Sequence, residues 1–184
     1  MLVGLPCSGK TTYVNDNIQS TDFVISMDKV TVHLGAIFGY TYDEMFEKPS
    51  ASDDTSKKFG IAVKQPLEWK TWEPYVWDLL EEPNLAFMAV MDFIWSNAQK
   101  RSSVIVDATN LSIAGRKRIL DKFPAHKKVA VLFDPVSLEE TISRVNGRAK
   151  RDGEKFIPAA TLKRMHDSFQ VPTLQEGFTA IVNG

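Results

Sequence analysis

One cysteine, three histidines and no long apolar run set the first limits on this 184-residue chain. The lone Cys7 excludes an internal disulfide framework and suits a reducing compartment. His33, His126 and His166 fall at no metal-ligand spacing, so a histidine-built metal centre is not expected. No apolar stretch reaches the ~20 residues that span a bilayer. Met1 leads straight into an apolar run without a visible leader, so a cytoplasmic protein with no membrane partner is expected. The net charge of −1 denies the chain as a whole the basic signature of a nucleic-acid binder. Its distribution is uneven, however. Asp and Glu outnumber Lys and Arg over residues 1–100, and the balance reverses over 101–170. Basic charge gathered in one segment suits a solvated helix face or a side that meets phosphate.

What is present begins at the amino end. Gly4 to Thr11 read GLPCSGKT, the Gly-x-x-x-x-Gly-Lys-Thr spacing of a P-loop. Gly4 and Gly9 permit the tight turn that points successive backbone N–H groups at phosphate oxygens. Lys10 supplies a cation for the β- and γ-phosphates, and Thr11 a hydroxyl for Mg²⁺. Gly4, Ser8, Gly9, Lys10, Thr11 and Thr12 are therefore the candidate nucleotide-binding residues, and ATP with Mg²⁺ the expected ligands. The preceding apolar run is short for a first strand.

Further along, apolar runs alternate with helical stretches. Strands are expected at Leu2–Leu5, Phe23–Ser26, Ser103–Val106, Lys128–Phe133 and Phe178–Val182. Helices are expected at Thr11–Gln19, Lys29–Ile37, Asn84–Lys100, Ile113–Phe123, Leu138–Arg148 and Ala159–Phe169. The alternation predicts one α/β domain over 1–184, with a five-stranded parallel sheet sandwiched by helices. Periodicity fails over about 38–84, where Pro49, Pro66, Pro74 and Pro83 occur, and an insertion is expected there. Its Trp69, Trp72 and Trp77 suit a small local core or base stacking.

In such sheets ligands sit at the carboxyl ends of the strands. Asp28 follows the second strand, where it suits either a base for an acceptor hydroxyl or a cap for the next helix. Asp107 ends the third and is placed to hold the metal through water, as a Walker-B aspartate does. Arg144 and Arg148 share a helical face at i, i+4 spacing, and Gly147 and Gly153 lie beside them. The cluster is expected to form an arginine lid over about 144–157, closing cations on the transferring phosphate.

This ordered set resembles the kinase domain of phage-type polynucleotide 5′-hydroxyl kinases. The likeness rests on GLPCSGKT, Ser26-Met27-Asp28, Val104 to Leu111, Arg144-x-x-x-Arg148, Ile157-Pro158 and Leu162 to Met165. It covers most of the chain outside Phe38–Glu82. The resemblance implies a P-loop kinase fold, Lys10 and Thr11 on ATP and Mg²⁺, Asp28 as general base, and Arg148 in the lid. It also implies a nucleic-acid substrate, single-stranded or end-exposed DNA or RNA. Two positions depart from the pattern. Thr31 stands where the family usually has an arginine that grips substrate phosphate, and Met27 precedes the base where arginine is common. These departures leave open a related acceptor, the hydroxymethyl group of a modified pyrimidine such as 5-hydroxymethyluracil in phage DNA. A small-molecule or mononucleotide kinase is the rival among enzymes, and a non-catalytic nucleotide switch the rival outside them.

Overall fold

The computed structural model describes residues 1–38, 83–152 and 157–184. Five short strands carry the architecture: β1 (Leu2–Val3), β2 (Phe23–Ser26), β3 (Val104–Asp107), β4 (Val129–Leu132) and β5 (Ala180–Asn183). Between them run α1 (Lys10–Asn17), α2 (Met27–Phe38), α3 (Pro83–Ala98), α4 (Ile113–Leu120), α5 (Leu138–Asp152) and α6 (Ala159–Asp167). The strands are short runs dominated by Val, Ile, Leu and Ala, the composition of a parallel sheet covered on both faces.

Every strand pair is parallel. β2 lies beside β3 with Phe23 level with Val104 and Ser26 level with Asp107. β1 lies beside β4 with Leu2 level with Val131, and β4 beside β5 with Val129 level with Ala180. These two hydrogen-bonded pieces, β2-β3 and β1-β4-β5, adjoin along β3 and β1. There the Gly4 N–H donates to Thr109 O at 3.0 Å. The Asn110 side-chain amide donates to Leu2 O at 2.6 Å. The expected five-strand parallel sheet is thus present, in the order β2-β3-β1-β4-β5, with its central seam made by loop residues and not by a ladder.

The period of two along a strand sorts the core into two faces. Leu2 and Val131 pack with Val14 of α1 and Phe133, and Tyr13 meets the Phe133 ring edge-on at 5.7 Å. The neighbouring residues Val3 and Ala130 pack instead with Leu120 of α4 and Phe178. One helix therefore covers each face of the central strands. Burying a side chain such as Leu2 contributes about 1.5–3 kcal/mol. Local signals fix the helix ends. The Ser112 side chain caps α4 by accepting from Gly115 N at 3.1 Å. Pro158 precedes α6, and Thr173 with Glu176 forms a capping box on a 3₁₀ turn (Leu174–Glu176) that closes at left-handed Gly177.

The chain divides into two compact units, residues 1–26 with 101–184, and residues 27–100. The first holds the whole sheet. In the second, α2 and α3 contact one another, with Val30, Leu34, Val90, Met91, Trp95 and Ala98 buried. Most of the expected insertion, with Trp69, Trp72 and Trp77, lies outside the described residues. β1 ends two residues earlier than expected because Gly4 turns its N–H away to Thr109. α5 runs four residues further than expected, to Asp152, and carries Gly147 within it; Gly153 lies outside the described residues. Among those described, no helix is long and apolar enough to cross a membrane.

Candidate nucleotide site

The loop between β1 and α1 is built by exclusion of side chains. A Cβ on Gly4 would lie 2.7 Å from Ser8 Oγ and 2.9 Å from Phe133 Cβ, so only glycine lets the loop fold back here. Cys7 (φ 57°) and Gly9 (φ 99°) are both left-handed, which curls the chain toward the helix start. Gly9 is the N-cap of α1 and offers no side-chain acceptor. The first main-chain bond of the helix runs from Tyr13 N to Gly9 O at 2.9 Å. The N–H groups of Lys10, Thr11 and Thr12 precede that bond and have no acceptor within the helix, which makes this end a seat for an anion.

Lys10 is 9% exposed. Its Nζ donates to Leu5 O at 2.6 Å, Gly4 O at 3.0 Å and Ser8 Oγ at 3.2 Å, so the ammonium group is curled inside its own loop. Buried cation and helix N-terminus converge on one concave turn. That combination fits a polyphosphate. Thr11 and Thr12 are exposed in the first turn of α1. Asp107 is the last residue of β3, and α1 and β3 are in contact. The hydroxyl of Thr11 and the carboxylate of Asp107 are hard oxygen donors of the kind Mg²⁺ takes. No cluster of three or more His, Cys, Asp or Glu able to hold a metal occurs among the described residues.

α5 brings Arg144 to the same loop. Arg144 is held by Glu140 (Nε to Oε1, 2.8 Å), and its Nη1 reaches to 3.5 Å from Cys7 O. Arg148, one turn further on, keeps its Nε buried with no hydrogen-bond partner among the described residues. A buried charged donor left unmade is expensive, and an incoming acceptor relieves it. Gly4, Ser8, Gly9, Lys10, Thr11, Thr12, Asp107, Arg144 and Arg148 therefore all belong to the sheet-bearing unit. Asp28 belongs to the other unit, directly after β2. α2 begins at Met27, so Asp28 occupies its first turn and does not cap it. Thr31 Oγ1 donates to Met27 O at 3.0 Å.

Sequence reasoning missed the support beneath the loop. Asn110 takes a left-handed turn (φ 48°). Behind it Arg116, with a fully buried side chain, makes a two-pronged pair with Glu176, Nε to Oε2 at 2.7 Å and Nη2 to Oε1 at 2.9 Å. Arg116 Nη1 also donates to the carbonyls of Asn110, Leu111 and Gln170 at 3.0, 3.1 and 2.8 Å. The Arg116 hydrogen bond holds the Glu176 carboxyl below the usual carboxylate range, helped by the Thr173 N–H. Nothing local marks this pair, since its members stand 60 positions apart.

Loop, sheet order and basic helix together describe a P-loop nucleotide-binding domain of the kinase-like kind. A family model described as an AAA domain, AAA_33, matches residues 1–172. The chain belongs to this family of P-loop NTPase-like, kinase-containing domains.

Proposed function

We propose that the protein is an ATP-dependent polynucleotide kinase, transferring the γ-phosphoryl group to a hydroxyl of DNA or RNA, with a 5′-hydroxyl end as the acceptor. The observation that carries phosphoryl transfer is the arginine pair on α5. Arg144 reaches a P-loop carbonyl, and Arg148 keeps a buried Nε without a partner among the described residues. A non-catalytic nucleotide switch has no need of cations that act on transferring charge, whereas a kinase does. In this reading the open N–H groups of the loop and Lys10 seat the β- and γ-phosphates, with Lys10 exchanging its loop carbonyls for phosphate oxygens. Arg148 Nε donates to an equatorial oxygen as the bond to the leaving phosphate loosens. Asp28 accepts the proton of the acceptor hydroxyl as its oxygen bonds to phosphorus and ADP departs. Thr11 and Asp107 would hold Mg²⁺ brought in with the nucleotide, and the ion would supply neutralising charge to the phosphate oxygens.

The acceptor rests on the ordered resemblance around Ser26-Met27-Asp28. One observation favours the second reading, the hydroxymethyl group of a modified pyrimidine. The Thr31 hydroxyl is committed to its own helix at Met27 O, so this position contributes no phosphate grip. The test is incubation with γ-labelled ATP and, separately, 5′-hydroxyl DNA, 5′-hydroxyl RNA, hydroxymethylpyrimidine DNA and free nucleosides. Label on 5′ ends supports the first reading and label on the modified base the second. Acceptor KM should climb steeply with salt for either polynucleotide. Asp28→Asn should lower kcat by about 10²–10⁴-fold with ATP binding nearly unchanged. Equal labelling of free nucleosides at a salt-insensitive KM would leave a small-molecule kinase.

A further inference from the structure

Arg116 lies in neither the P-loop nor the lid helix, yet its bonds lead to the P-loop in a few steps. Its guanidinium fixes the carbonyls of Asn110 and Leu111. The Asn110 side chain in turn holds Leu2 O, at the root of the P-loop. Its neighbour Thr109 accepts from the N–H of Gly4, the first P-loop residue. The same segment begins with Asp107 at the end of β3. A second strap closes from the other side. Gln170 N donates to Leu111 O at 2.8 Å, and Gln170 Oε1 accepts from Ile113 N at 2.9 Å. Glu176, which anchors the guanidinium, lies past residue 172, where the family match ends.

We propose that Arg116, held by Glu176, is a positioning residue for the nucleotide site: it sets the Asp107–Leu111 segment against the base of the P-loop. The central seam of the sheet, where β3 meets β1, is the place that needs this. The seam has no strand ladder and is joined by Gly4 N to Thr109 O and by Asn110 to Leu2 O. Both bonds depend on where the 107–111 segment sits, and that segment's carbonyls are pinned by a planar, rigid fork. Lysine offers no such fork. The inference rests on nucleotide binding at the P-loop and on nothing about the acceptor.

The experiment compares full-length wild type, Glu176→Gln and Asn110→Gly. Glu176→Gln keeps the size of the anchor and removes its charge. Asn110→Gly keeps the left-handed turn and removes the bond to Leu2, leaving the buried pair alone. Calorimetric binding of ATP with Mg²⁺, without acceptor, is measured well below each variant's Tm. Affinity is expected to fall about tenfold in both, within the range for a small misplacement of a binding group. KM for ATP should rise in parallel, with acceptor KM unchanged within twofold. If one variant fails to fold, the other decides. A purely structural role lowers Tm while the folded fraction binds ATP within twofold of wild type, and that result overturns the proposal. A wild-type protein that binds no ATP would instead overturn the nucleotide site itself, and one that binds ATP but labels no polynucleotide leaves this test intact.

Discussion

Replacing Arg116 by methionine removes one half of a buried ion pair and leaves the other half in place. Glu176 would remain with a side chain only 4% exposed, and the carbonyls of Asn110, Leu111 and Gln170 would lose a shared donor. Breaking a buried pair in this way costs about 3–5 kcal/mol. For a chain of this size that corresponds to a fall in Tm of roughly 6–20 °C. Urea and thermal melts at pH 7 measure it directly. Turning both residues apolar, Arg116→Met with Glu176→Leu, should recover the part of the loss that comes from the stranded charge, while the three carbonyls stay without that donor. The pH dependence gives an independent check. Arg116 holds the Glu176 carboxyl below its ordinary value. A depressed folded-state pKa contributes stability that is complete above the unfolded value, about 4.3. That stability is lost as pH falls through the folded one. The advantage of wild type over Glu176→Gln should therefore be full at neutral pH and shrink below about pH 4. In Arg116→Met the stranded carboxylate is relieved by protonation, so its deficit should also narrow in acid. A loss below about 1 kcal/mol at pH 7, or a deficit constant between pH 7 and 3, would refute the account.

Two further outcomes concern the loop and α5. Lys10→Ala should abolish phosphoryl transfer while far-ultraviolet circular dichroism stays native; turnover at the wild-type rate would overturn the P-loop assignment. Arg148→Ala should slow kcat far more than it weakens ATP binding, since its unpartnered Nε gains most from charge that develops in the transition state; a lower ATP affinity with kcat unchanged would move this side chain to ground-state binding.

The parts of the molecule governed by local chemistry were legible in the sequence. β2 lies where its apolar run placed it, and the strand-helix alternation gave the parallel sheet. GLPCSGKT could be read because its glycines answer to backbone geometry within the same few residues. Asp28 was ambiguous between base and cap, and the start of α2 at Met27 removed the cap. The far end of α5 was set four residues short, although Gly147 costs a helix only about 1 kcal/mol and α5 continues through it to Asp152. Arg116 was invisible in the sequence. Its partners are main-chain carbonyls and a carboxylate brought near by the fold, and a basic residue on a short helix carries no sign of burial. The split of the sheet at β1 was likewise unreadable, since it depends on where Gly4 turns its N–H.

The pairing of β1 with β4 has a consequence for synthesis. Met1 and Val129, which share a hydrogen bond, are separated by 128 positions. At about 5–20 residues per second, the strand that launches the P-loop waits roughly 6–25 s on the ribosome before its neighbour has been made. Until then Leu2 and Val3, both completely buried in the finished protein, have no strand to ladder with. A nascent chain therefore carries its phosphate-binding motif long before it can hold a phosphate. Nucleotide affinity should emerge abruptly and late, once β4 is clear of the exit tunnel and β1 can be locked in place.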